Sequence, residues 1–403
     1  MCWGLSIWTA SIFSINKTQL IILFHIVKKL HVIAFDVPYP ADYGGVIVVY
    51  HQLKALKDSG IQVILHAYQY GERGPRVELE EVCEEVYYYK RATGWKASLT
   101  TLPYIVNSRK SELLLSRLLK DDYPILFEGV HTTAWISHPA LVNRKKVVRM
   151  HNIEWRYYNS LYRLADNPLR KSYFVIESKR LKMYDEIVLK HADAVLTISE
   201  NDHTHYETLH KNCHLMPAPH GEAYTENLGS GDYFLYHGKL SVADNKLAAL
   251  HLMKEVFAFT DARLIVAGMN PDSELKSAIH KMKNVSINAN PNDDEMRSLI
   301  RNAQANILYT FQDNGLKLKL LHALHQGRHC IVNEWMVSNA SQLRHLCHIG
   351  TDNQGLIQLV EKIRTASFTK EMADKRRIIL MSKYNNLKNT SETLDFLYKL
   401  GFK

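Results

Sequence analysis

A chain of 403 residues is too long for one ordinary hydrophobic core and favours two domains of roughly 150–200 residues each. A hydrophobic fraction of 46% with 23% charged residues excludes a disordered chain. The formal net charge of +9 implies anionic partners, namely a nucleotide-activated substrate, an anionic membrane surface or a nucleic acid. Five scattered cysteines (Cys2, Cys83, Cys213, Cys330, Cys347) show no CxxC spacing. They argue against a disulfide framework or a zinc site and for a reducing cytoplasm.

The N-terminal stretch "MCWGLSIWTASIFSINKTQLIILFHIV" has no basic segment before its apolar part, and "LIILFHIV" is too short to span a bilayer. Residues 1–27 therefore read as an extension upstream of the native start, with a membrane-associating helix as the alternative. From there, short apolar strands alternate with amphipathic helical stretches: "LHVIAFD", "IQVILHAY", "EEVYYYK", "YPILFEG", "KKVVRMH" and "ADAVLTIS". This is the βαβα rhythm of a parallel sheet covered on both faces. Residues 214–232 concentrate Pro, Gly, Asn and Ser and read as an interdomain linker. The rhythm restarts with "YFLYHG", "ARLIVAG", "NVSIN", "QANILYT" and "RHCIVN". The expected fold is α/β, with Rossmann-like domains over 28–213 and 233–385 facing across a cleft. A C-terminal helix in 386–403 is expected to cross back.

Ligands bind at the carboxyl ends of strands in such sheets, so polar residues there are the candidates. Gly44 and Gly45 open a helix whose free N–H groups suit a phosphate or a sugar hydroxyl. Glu128, His131, His151 and Glu154 follow two strand ends, and without an HExxH-like spacing they do not suggest a metal site. Gly238 and Lys239 follow another strand, where a lysine suits a diphosphate. The stretch "QDNGLKLKLLHALHQ" is expected to start a helix at Gly315 with Lys317 and Lys319 in its first turn. The dipole disfavours lysine there, which argues for a compensating anion. The loops "AGMNPD" and "ANPNDDEMRSLI" are candidates for a nucleobase.

In this order, the GG loop, "EGVHT", "RMHNIEWRYY", "ISENDH", "YHGKLSVADN", "AGMNP" and "GLKLKLLHALHQGRHCIVN" resemble glycosyltransferases of the two-Rossmann-domain (GT-B) type. The likeness is to the family 4 group and to envelope-polysaccharide enzymes of Bacteroidetes. It implies a nucleotide-sugar donor on the C-terminal domain and a glycan or lipid-linked acceptor on the N-terminal domain. It also implies a metal-independent reaction without cofactor. Lys239 and Lys317 or Lys319 would face the donor diphosphate, and His131 and His151 would line the cleft. Asn314 and His322 stand where the family carries two glutamates, and Asn245 stands near a second basic position. Those departures leave a non-catalytic binding protein as an alternative, with a nucleotide-sugar 2-epimerase behind it. Basic runs "NRKKVVR" and "RKSYFVIESKRLK" suit peripheral contact with the inner face of the plasma membrane. No nucleic-acid-binding motif is present.

Overall fold

The computed structural model describes residues 29–94, 100–165, 167–312 and 315–402. The expectation for residues 1–27 lies outside them. Two parallel sheets organise the chain. The first contains β1 (Lys29–Ala34), β2 (Gln62–Gln69), β3 (Glu85–Lys90), β4 (Ile125–Glu128), β5 (Lys146–Met150), β6 (Ala194–Thr197) and β7 (Cys213–Leu215). Their spatial order is β3-β2-β1-β4-β5-β6-β7. The second contains β8 (Phe234–His237), β9 (Leu264–Gly268), β10 (Val285–Ala289), β11 (Ala305–Leu308), β12 (His329–Asn333) and β13 (His348–Gly350), in the order β10-β9-β8-β11-β12-β13.

Helices cover both faces. The first half carries α1 (Gly44–Asp58), α2 (Glu112–Leu118), α3 (Glu154–Leu164), α4 (Pro168–His191) and α5 (Glu200–Glu207). The second carries α6 (Ala243–Glu255), α7 (Ser273–His280), α8 (Asp293–Asn302), α9 (Leu318–Gln326), α10 (Asn353–Ile363), α11 (Lys370–Lys383) and α12 (Asn386–Lys399). Local chemistry sets several boundaries. Asn167 accepts from the Leu169 N–H at 2.8 Å, and Pro168 follows at the first helical position. Asn292 and Glu295 close a reciprocal capping box at α8.

Alternate residues of each central strand enter opposite cores, because side chains change face at every step. Ile33, Phe127 and Val148 pack on one side of the first sheet; Val32, Leu126 and Val147 pack on the other. In both sheets the strand order reverses beside the first strand, between β1 and β4 and between β8 and β11. Those switch points leave a crevice at the strand ends. Phe35, Gly129, Gly238 and Tyr309 each lie immediately after one of these four strands.

The short edge strands β7 and β13 were not expected from the sequence, and β7 runs into the stretch read as linker. Each has three residues, too few to show an alternating pattern. Leu394 and Leu397 of α12 pack in the core of the first sheet, and the Lys145 ammonium donates to the Leu400 carbonyl at 2.9 Å. The chain therefore passes between its halves twice.

One backbone contact positions the β8 loop. An ideal Cβ on Gly268 would lie 1.7 Å from the Gly238 carbonyl oxygen, so the ends of β8 and β9 meet where no side chain fits. Gly268→Ala is expected to cost about 1–3 kcal/mol in urea unfolding, the usual range for overpacking. Unchanged stability would show that the strands do not approach so closely.

Candidate active site

A cleft of about 370 Å³ separates the two sheets. Its first-domain wall consists of Phe35, Tyr43, Gly44, Gly45, His131, His151, Asn152, Glu154 and Tyr157, from the ends of β1, β4 and β5 and the starts of α1 and α3. Gln312, Gly315, Lys317 and Leu318 form the opposite wall. Seven of the expected site residues thus share one cleft.

Glu128 does not reach it, which corrects its reading as a candidate base. It is the last residue of β4, has no solvent exposure, and lies beneath the cleft floor. Its Oε2 accepts from Arg149 Nε at 3.1 Å and from His151 Nε2 at 2.8 Å. Burial alone would raise the Glu128 carboxyl, but the Arg149 charge and the His151 contact hold it below its usual range. Burial lowers His151 further than Glu128 raises it, so the imidazole is neutral with its proton on Nε2. Its Nδ1 lone pair remains available to a donor. Glu128 is therefore a positioning residue for His151.

His131 is neutral for a similar reason, with burial foremost and Arg109 and His151 adding to it. Its ring lies 5.3 Å from that of Phe35, and its buried Nδ1 has no hydrogen-bond partner. Glu154 opens α3 inside the cleft. Burial pushes its carboxyl up to about 7, against a smaller opposing effect of the Asn152 hydrogen bond. A carboxyl that titrates near neutrality in a cleft is suited to proton transfer.

The expectation of a helix start at Gly315 is also corrected. The helix begins at Leu318, with Lys317 in the capping position. Gly315 sits earlier, at φ +61°, where a Cβ would lie 2.4 Å from Asn152 Oδ1 of the opposite wall. Glycine is required there by its backbone conformation and by the closeness of the two domains. Lys319 is not an exposed first-turn charge. Its side chain is half-buried, and its ammonium donates to Asn245 Oδ1 at 2.9 Å, with the Tyr236 hydroxyl at 3.4 Å and the Tyr309 carbonyl at 3.5 Å. Burial lowers its pKa to about 8, with nearby Asp244 opposing.

Gly238, Lys239 and Lys319 stand beside the cleft rather than in its wall. The exposed Lys239 ammonium lies 5.9 Å from the ring of Tyr43, across the domain boundary. His322 lines a second cavity of about 390 Å³, between α1 and α8, together with His51, Arg297 and Glu222. There Nε2 of His322 pairs with Glu222, whose carboxyl is held low by that contact although burial alone would raise it. Asn314 lies outside the described residues. Among the described residues, no group of three or more His, Cys, Asp or Glu side chains is placed to hold a metal ion.

Tyr43, Tyr157 and Glu222 were missed in the sequence. Glu222 stands in the Pro- and Gly-rich stretch 214–232, whose composition signals a linker and does not set Glu222 apart from the other acids there, Glu226 and Asp232. Tyr157 sits one turn into α3, where only the cleft geometry distinguishes it from its aromatic neighbours.

The Glu128–Arg149 pair is completely buried, so removing one partner strands the other charge. Glu128→Ala is expected to lower stability by about 3–5 kcal/mol in denaturant titration. A loss below about 1 kcal/mol would show that water reaches Arg149.

No family model matches the chain. A protein of the cps region of Klebsiella pneumoniae, described as an uncharacterized 44.6 kDa protein, is 25% identical over 315 residues, 73% of this chain and 80% of that protein. Sucrose-phosphate synthase from Thermosynechococcus elongatus superposes with a TM-score of 0.69 at 13% identity, covering 93% of this chain and 99% of its own. Anabaena HepE in complex with UDP and glucose gives 0.63 at 11%, covering 92% and 100%. A glycosyltransferase from Rickettsia africae gives 0.61 at 14%, covering 93% and 99%. With its two parallel sheets and opposed switch points, the chain has the GT-B fold.

Proposed function

We propose that this chain is a glycosyltransferase that moves a sugar from a nucleoside-diphosphate donor to a glycan or lipid-linked acceptor. The observation that carries the reading is the cleft itself. Two switch points face each other there, with a carboxyl titrating near 7 on one wall and two lysines beside the other. The bound UDP and glucose of HepE supply the substrate class by analogy. The cps-region relative supplies the context, which we read as surface-polysaccharide assembly at the cytoplasmic face of the membrane. A hexosyl donor and membership of family 4 belong to the same proposal.

Glycosyl transfer develops negative charge on the departing diphosphate, and preorganised cations and N–H donors stabilise it. Lys239 and Lys319 take that role, with the backbone around Gly238 and Gly315 and the start of α1 at Gly44 and Gly45. No metal ion is required in this scheme. Glu154 or His131 accepts the acceptor hydroxyl proton if the configuration inverts; the departing phosphate takes it if the configuration is retained. The alternative, binding without turnover, draws on the missing carboxylates at Asn314 and His322. Glu222 weakens that argument by bringing a carboxylate directly to His322.

Two measurements test the proposal. Calorimetry with UDP, GDP, ADP and CMP, without metal, is expected to show selective binding of one of them. Lys319→Ala should weaken that binding about tenfold to a hundredfold, the worth of a charge-assisted hydrogen bond. Binding to none would overturn the donor site. If Glu154 is the base, kcat rises as pH passes through about 7, where the carboxyl loses its proton. Glu154→Gln should then remove that limb and lower kcat by about 10²–10⁴-fold. An unchanged profile would assign the proton to another group.

A further inference from the structure

The hairpin of α3 and α4 carries an apolar surface that neither cavity uses. Leu169, Ile176, Met183 and Ile187 follow one another at spacings of seven, seven and four, which places them on one face of α4. Their exposures are 81%, 52%, 72% and 43%. Leu181, Tyr184 and Val188, roughly 100° around the helix from them, are buried in the core of the first sheet. The stripe is therefore not a misplaced core face. It runs about 27 Å along the helix axis, with Ser172 and the half-exposed Arg180 between its apolar residues on the same face, so that four exposed apolar groups share one side of one helix.

Charge frames the stripe. Arg170, Lys179, Lys182 and Lys190 are exposed on α4, and Arg156 and Arg163 on α3; Glu186 is the one exposed acid among the described residues of both helices. An apolar face with a basic rim complements an anionic lipid surface, where the apolar groups enter the acyl boundary and the cations meet phosphates. Two copies of this chain meeting through the same face would oppose two basic rims, which argues against a homodimer. No helix among the described residues is long and apolar enough to cross a membrane, so the geometry is that of a face laid on the surface.

We infer that the α3–α4 hairpin is a docking surface for an anionic bilayer, with Leu169, Ile176, Met183 and Ile187 inserted and Arg170, Lys179 and Lys190 on the headgroups. The surface is linked to the cleft. α3 begins at Glu154 in the cleft wall and its 11 residues reach only about 16 Å outward. A lipid-linked acceptor held in the membrane thus meets the cleft over a short distance. This deepens the acceptor part of the proposed function, while the docking itself does not depend on the cleft chemistry.

Co-sedimentation of the full chain with vesicles tests it. Phosphatidylglycerol-containing vesicles are expected to retain the protein, and phosphatidylcholine vesicles to retain about tenfold less or lower still. Met183→Glu with Ile187→Glu, and separately Lys179→Glu with Lys190→Glu, should each lower partitioning about tenfold or more, with unchanged melting temperature. Equal binding to both vesicle types, or undiminished binding by both variants, would overturn the inference. A dimer abolished by the Met183 and Ile187 changes would also overturn it, by assigning the stripe to a second copy. Nucleoside-diphosphate binding measured on the same samples reports the cleft separately, so failure of the donor site is distinguishable from failure of docking.

Discussion

A salt bridge sealed from water lies under the cleft, and the first domain's contribution to the site depends on it. Arg149 on β5 and Glu128 on β4 have no solvent exposure and meet at 3.1 Å. Arg149 also donates to Gln52 of α1 at 2.9 Å, so one guanidinium joins two strands and the helix that begins at the cleft. Burying both charges is unfavourable in itself, and the arrangement holds only while each keeps its partner. Its use is geometric. The carboxylate that neutralises Arg149 also fixes the tautomer and orientation of His151, and the helix held by Gln52 presents Gly44 and Gly45.

The second domain solves a comparable problem differently. The half-buried Lys319 ammonium lies among the Asn245 side chain, a tyrosine hydroxyl and a backbone carbonyl, with Asp244 as the opposing charge nearby. Neutral oxygens do not fully replace water around an ammonium, which is why its proton is held less tightly than usual. This ammonium lies next to the loops that follow β8 and β11.

Polar contacts and one small apolar cluster hold the domains together. Val48, Ile198 and Ala218 meet Leu316 and Leu318 across the cleft. Around them, Ser341 N–H donates to Glu200 at 2.9 Å, and the side chain of Asn386 donates to the His220 carbonyl at 2.6 Å. Interfaces of this kind allow relative movement of domains. The chain passes between the domains at residues 214–232 and again before α12.

The eleven longer strands were legible in the sequence because runs such as "HVIA" and "LIVAG" are buried on both faces and read as continuous apolar segments. Strand ends were legible too, and with them His131, His151, Glu154 and Lys239, since loops at those ends follow from chain order. Three-residue edge strands carry too little pattern to be seen. What the sequence could not show was direction and depth. Glu128 and Glu154 look alike as acids after strands, yet one side chain turns beneath the floor and the other opens into the cleft. Lys317 and Lys319 are two residues apart, and only the packing of α9 against β11 and β12 sends one to the cleft wall and turns the other toward Asn245. Composition and periodicity determined the fold and the strand ends that meet at the cleft; tertiary packing decided which charges face solvent, because burial depends on neighbours that are distant in the chain.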